Sequence, residues 1–139
     1  MAKSILKIDD DEYDFILIGI SSGFRDFRVC REVNTSLGLD LCRMEDYTVF
    51  DRKRDSDLAF PFFEFVNEHE DRFYIIGNKS DGALLIPEQR QLDFFLLVKP
   101  GMSPFDRSEI VKTLNKVPQF QGAFPIDVMS LKSKENLLF

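Results

Sequence analysis

DFFLLVKPGMSPFDRSEIVKTLN, residues 93–115, is the stretch on which the fold turns. With Leu92 in front of it, LDFFLLV (92–98) is apolar on both faces, the pattern of a strand covered on two sides. A helix start follows: Ser103 as cap, Pro104 at the first helical position and Asp106 completing a capping-box-like pattern. Ile110, Val111, Leu114 and Val117 recur at helical spacing until Pro118 stops the run. The same order occurs once before, in DFILIGISSGFRDFRVCREVN (14–34). Asp14-Phe15 aligns with Asp93-Phe94. With two extra residues in the second turn, Phe24 aligns with Phe105, Val29 with Ile110, Val33 with Leu114 and Asn34 with Asn115. In this earlier copy Ser21 or Ser22 serves as cap. Phe24, Phe27, Cys30, Val33 and Leu37 form the apolar stripe, and Gly38 ends the helix.

Each copy runs on into a further strand, LDLCRMEDYTVF (39–50) and FQGAFPIDV (120–128). Parallel strands need crossovers of this kind, and such crossovers are right-handed. The pattern predicts a single α+β domain over 1–139, a ferredoxin-like or ACT-like split βαβ sandwich. Its units are about 14–50 and 92–128, with two helices on one face of a five- to seven-stranded sheet. AFPFFEFV (59–66) and RFYIIGN (72–78), joined by NEHED, predict a hairpin at about 58–78 inserted between the halves. Pro61 pushes its first strand towards an edge.

The composition is that of a folded chain, 44% hydrophobic and 30% charged. Fifteen Phe without Trp is more ring than a core of this size needs, which points to an oligomer interface or groove. A net charge of -6 argues against a nucleic-acid partner, which needs clustered Lys and Arg. AFPFFEFV has aromatics like those of RNA-recognition sheets but not their basic and glycine positions. The opening MAKSILKIDDDEYDF meets acids where a signal peptide needs an apolar core, and no run is long enough to span a bilayer. A cytoplasmic protein without membrane contact is expected. Cys30 and Cys42 are expected to be buried free thiols.

IPEQRQLDF (86–94) resembles the motif that names the IPExxxVDY family. Ile86, Pro87, Glu88 and Asp93 match, with Leu92 and Phe94 in place of Val and Tyr. The ending LKSKENLLF and the opening acidic stretch before a strand ending LIGI are similar too, so the resemblance covers essentially the whole length. It brings no assigned activity with it, and Phe94 lacks the phenol of the family's Tyr.

Glu88 and Asp93 are candidate ligand-binding acids, with Lys132 and Lys134 of the tail as candidate partners. Turn chemistry also explains both acids. Proline fixes the backbone at Pro87, and an acid opening a buried strand can accept bonds from backbone donors of a turn. DDDEYD (9–14) lacks the glycine and distal glutamate of a calcium loop, and His69 lacks partners, so no metal and no cofactor are expected. Arg25, Arg28 and Arg31 line one side of the first helix, with Arg52-Lys53-Arg54 as a second basic spot; either suits an acidic protein partner. Phe60 and Phe62, on the expected edge strand, are candidate contacts for a homodimer. No catalytic residue is assigned, because no GxSxG, P-loop or GxGxxG is present. The leading expectation is a non-enzymatic interaction or regulatory module. The alternatives are an ACT-like sensor binding a metabolite at a subunit interface, and an enzyme using Glu88 or Asp93 with a tail lysine.

Overall fold

A computed structural model describes residues 12–139. Most of the acidic run 9–14 is described only from Glu12, so the reading of Asp9, Asp10 and Asp11 lies outside these residues.

The main sheet has six strands. They are β1 (Ile16–Ser21), β2 (Cys42–Arg43), β5 (Phe62–Val66), β6 (Arg72–Gly77), β9 (Phe94–Lys99) and β10 (Gly122–Ile126), in the order β10-β1-β9-β6-β5-β2. Every neighbouring pair is antiparallel. Two ribbons stand apart, β3 (Tyr47–Asp51) with β4 (Ser56–Phe60) and β7 (Lys79–Ser80) with β8 (Ala83–Leu84). The helices are α1 (Asp26–Leu37) and α2 (Arg107–Asn115).

The second predicted unit forms as a crossover. β9 and β10 both run antiparallel to β1, hence parallel to each other, and α2 connects them with β1 between. The first unit is completed differently. The strand expected over 39–50 breaks after Arg43, where the exposed, charged stretch Arg43–Asp46 cannot continue into a buried ladder. β2 therefore lies at the far edge, and β6 takes the place beside β9. The segment expected as an inserted hairpin supplies this interior strand: Phe73 to Gly77 are buried. AFPFFEFV is two strands, not one. Pro61 has no N–H for a ladder, and there the chain passes from the β3–β4 ribbon to the main sheet. Its ring sits on Gly77, where a Cβ would lie 2.8 Å from the proline Cδ, so only glycine admits this crossing.

Period-two alternation divides the core. Phe94, Leu96 and Val98 face the helices with Ile18, Ile20, Val29, Cys30, Val33, Leu114 and Val117. Phe95 and Leu97 face the other way with Leu17, Tyr74 and Ile76. That second face is covered by Phe60 of the ribbon, by Leu85, Ile86 and Leu92, and by Val128, Leu131 and Leu137 of the tail. Both helices thus pack on one face. Each fully buried Leu or Ile contributes about 1.5–3 kcal/mol of transfer free energy.

The helix ends differ from expectation in detail. α2 begins at Arg107 and is capped by Asp106, whose Oδ1 accepts from Ser108 N at 2.9 Å. Ser103 and Pro104 lie in the loop before it. α1 has no side-chain cap, and the Ser22 hydroxyl instead accepts from Phe24 N at 3.1 Å within the turn. Val29 takes the core position expected of Phe27, which points outward. The aligned pair Asn34 and Asn115 make one and the same clamp. Each amide closes two hydrogen bonds onto the chain just past its helix, Asn34 onto the N–H and C=O of Leu41 and Asn115 onto those of Ala123, at 2.8–3.1 Å.

Cys30 is buried and its thiol is pushed up to about 11, chiefly by burial and then by Cys42 nearby. Cys42 is exposed, against expectation, because β2 is a two-residue edge strand open to solvent.

Candidate functional site

β1 ends at Ser21 and α1 begins at Asp26, so Ser22 to Arg25 make a short turn over the edge of β9. Asp93, just before β9, holds this turn. Its Oδ2 accepts from Ser22 N at 2.8 Å and its Oδ1 accepts from Lys79 Nζ at 2.6 Å. Its own N–H donates to Ile20 O and its carbonyl accepts from Asn78 N, both at 2.9 Å. Gly23 leaves space beside the turn, and a cavity of about 460 Å³ opens there, with Arg25, Lys79, Asp93 and Phe94 in its lining. A Cβ on Gly23 would meet nothing within 4 Å.

Above this cavity runs the outer face of α1. Phe27, Arg28 and Arg31 fall on one stripe at spacings of three and four, and Phe24, in the turn before the helix, packs partly on the core. Phe27 is 65% exposed, the Arg28 guanidinium lies 4.8 Å over the Phe24 ring, and Arg25, Arg28 and Arg31 are exposed. Among the described residues none of these three arginines forms an ion pair. The nearby acid Asp26 is engaged by Arg43 at 3.7 Å. Lys79 is held by Asp93, and Arg25, Arg28 and Arg31 outnumber Glu32, so the net charge on this face is positive. An exposed ring among unpaired guanidinium groups suits binding, since Arg and aromatic side chains dominate interface hot spots.

The other expected site residues lie elsewhere. Glu88 follows Pro87, the first residue of a 3-10 turn (Pro87–Gln89). Its two oxygens accept from Ser133 N at 2.7 Å and Ser133 Oγ at 2.9 Å. Burial raises its pKa, but hydrogen bonds from its own N–H and from Ser133 outweigh this and hold it below the usual glutamate range. Lys132 is exposed, and Lys134 lies with its ammonium 5.6 Å over the Tyr13 ring. Neither lysine lines the Asp93 cavity, and Glu88 does not either, so the carboxylates and tail lysines share no cavity there. Glu88 and the tail do meet, joined by Ser133 and by Asn136, which donates to Leu85 O at 2.8 Å. Phe60, expected as an exposed contact, is fully buried, because Pro61 turns its strand over the sheet rather than along its edge. Phe62 is half-buried in a cluster with Tyr47, Tyr74 and Phe139. In the second basic spot Arg54 reaches Asp51 at 3.6 Å and Asp81 O at 3.1 Å. No group of three His, Cys, Asp or Glu among the described residues is placed to hold a metal.

Three polar residues carry weight that the sequence reading passed over. Asn78 is fully buried; it donates to Gln89 O at 3.0 Å and Leu92 O at 2.8 Å and accepts from Ile86 N at 2.8 Å, so it shapes the whole 85–92 segment. Asp71, also fully buried, accepts from Asn67 Nδ2, Gly101 N and Ser103 N and ties the β5–β6 turn to the loop before α2. Burial raises its pKa, but these bonds prevail and hold it at about 2. Lys99 lies among three rings on the non-helical face. One signal was legible for it: alternation in FFLLVK places Lys99 on the side of Phe95 and Leu97.

No family model matches the chain, and no curated protein or solved structure matches it significantly. No helix among the described residues is long and apolar enough to cross a membrane.

Proposed function

We propose that the protein is a non-catalytic interaction module that docks an acidic protein partner on the outer face of α1. The observation that carries this reading is Phe27, 65% exposed beside the unpaired Arg28 and Arg31 in a chain of net charge -6. Leaving a phenylalanine in water forgoes about 1.5–3 kcal/mol of burial. A partner with an apolar pocket rimmed by carboxylates recovers that term and pairs the guanidinium groups. Electrostatic complementarity of this kind speeds encounter and excludes basic competitors. The cavity at Asp93 adjoins this face and accepts a second anchor.

The test compares the wild-type chain with Arg28→Glu/Arg31→Glu and with Phe27→Ala, each immobilised and exposed to lysate. An acidic protein held by the wild type, released as salt rises and lost from both variants at unchanged thermal stability is the expected outcome. A partner held equally by all three would refute the reading. Light scattering separates the remaining occupant, a second copy. A homodimer that dissociates in the same variants makes the partner another molecule of this chain.

The order β10-β1-β9-β6, with helices crossing from β1 and β9 on one face, supports the ferredoxin-like reading of the sheet core. The bonds between Glu88 and Ser133 support membership of the IPExxxVDY family, because they join the motif to the ending that carried the resemblance. In further sequences with both features, Glu at the first position and Ser at the second should change together; independent variation would count against it. Two free thiols support a cytoplasmic setting. A thiol-trapping measurement in cells checks this, and a Cys30 or Cys42 found oxidised throughout would contradict it.

A further inference from the structure

A second site lies on the opposite side of the sheet and owes nothing to the α1 surface. Arg72 and Lys99 are directly opposite each other in the β6–β9 register, so both side chains emerge on the same face. Like charges in that position repel. They open onto a cavity of about 500 Å³ lined by Phe62, Glu64, Arg72, Tyr74, Lys99 and Phe139. The Lys99 ammonium lies 5.7 Å over the Phe15 ring, 5.4 Å over Tyr74 and 5.1 Å over Phe139. Burial and the neighbouring Arg72 both lower its pKa. A hydrogen bond with the Tyr74 hydroxyl, and after it the charges of Glu64 and Glu70, raise the pKa of Arg72, and no side-chain carboxylate forms an ion pair with Lys99 among the described residues.

One group already occupies part of this site. The Phe139 ring stands edge-on to Tyr47, Phe62 and Tyr74, at 5.0 Å from each, and its main-chain oxygen accepts from Lys99 Nζ at 2.6 Å. The site thus shows its own recognition chemistry: an aromatic box for a ring and a cation for an oxygen close to that ring. The hold on Phe139 is partial. Leu137 is fully buried and fixes the tail, whereas Phe139 is 36% exposed and only Leu138 separates the two.

We propose that this cavity binds a small aromatic carboxylate, its ring in the Tyr47, Phe62 and Tyr74 box and its carboxylate between Lys99 and Arg72, with Phe139 as the resident occupant that the ligand displaces. A full negative charge relieves the repulsion between the two cations. Charge-assisted hydrogen bonds are about twice as strong as neutral ones.

The probe is 3-phenylpropionate, followed by titration calorimetry. Phe139→Ala vacates the box and should bind it at least about tenfold more tightly than the wild type. Adding Lys99→Gln to that variant should weaken binding by about tenfold or more. The alcohol 3-phenylpropanol, which keeps the ring and loses the charge, should not bind measurably. A folded Phe139→Ala protein that takes up no 3-phenylpropionate at millimolar concentration overturns the proposal, as does equal binding with Lys99→Gln. Should Phe139→Ala not fold, the wild-type chain decides through its Tyr74 and Phe139 ring resonances. Saturable shifts that Lys99→Gln abolishes support the site, and unmoved resonances at millimolar ligand overturn it.

Discussion

The two faces of the main sheet are covered by different means. On one side lie two helices, each directly following a strand and each clamped at its end by an asparagine, Asn34 or Asn115. On the other lie three unlike pieces drawn from far apart in the chain: the β3–β4 ribbon, the segment around Ile86 and the tail around Leu137. The helical cover is held by apolar stripes of one period. The irregular cover has no shared period and is held by point attachments, Asn78 to its neighbouring loop, Glu88 to Ser133 and Asn136 to Leu85. A cover without periodicity needs specific polar ties, because nothing else sets its register on the sheet.

The comparison breaks most readily at the core. Phe60→Ala in the ribbon should cost about 3–5 kcal/mol and Leu114→Ala in α2 about 2–5 kcal/mol, both in one cooperative denaturant transition. A two-step transition for Phe60→Ala alone would show that the irregular cover detaches as a separate unit. Asn78→Ala comes next. It strands the N–H of Ile86 and the carbonyl of Leu92 and leaves Gln89 O with Leu92 N–H alone, and should cost about 1–3 kcal/mol. A loss below about 0.5 kcal/mol would mean that water replaces the side chain without penalty. Glu88→Gln is milder because the carboxylate is exposed; about 0.5–1 kcal/mol is expected, with faster amide hydrogen exchange across 131–138 as the local sign. Unchanged exchange there would remove Glu88 from the ties that hold the tail.

The last comparison is invisible at neutral pH. Asp71 ties the turn before β6 to the loop before α2, and its carboxyl sits at about 2 against an ordinary 3.8. A depressed folded-state pKa contributes stability that is complete above 3.8 and is lost as pH falls through about 2. Denaturation midpoints should therefore drop across that window in the wild type, and less so in Asp71→Asn. Equal slopes in the two proteins would assign the acid sensitivity to other carboxylates.

This division also explains what the sequence made legible. The repeated strand, turn and helix at 14–34 and 93–115 carry their own periodicity, and the match of Asn34 to Asn115 corresponds to one clamp used twice. The partner of β1 across β9 was not legible. Residues 39–50 and 72–78 both read as strands, and their choice of place depends on Arg43–Asp46 being too polar to bury and on Pro61 crossing over Gly77. Asp93 was legible as an acid that accepts from a turn's backbone, but the turn it holds is that of Ser22, 71 residues away in the chain, which sequence proximity does not indicate. Phe27 was misread because stripe counting sets its position against Val29 only weakly, and packing against the sheet decided between them. The Lys99 cavity draws on β5, β6, β9 and the tail, whose convergence no short window of sequence contains.

The place of β1 between β10 and β9 has a consequence for synthesis on the ribosome. Its two partners, β9 and β10, are made much later, and at about 5–20 residues per second they follow Ile18 by roughly 4–20 s. Throughout that interval ILIGIS has both hydrogen-bonding edges open and no native strand to receive them. The nascent chain thus carries this segment unsatisfied until residues 94–126 have been made, and slowing elongation between Ser21 and Phe94 should raise the insoluble fraction of this protein.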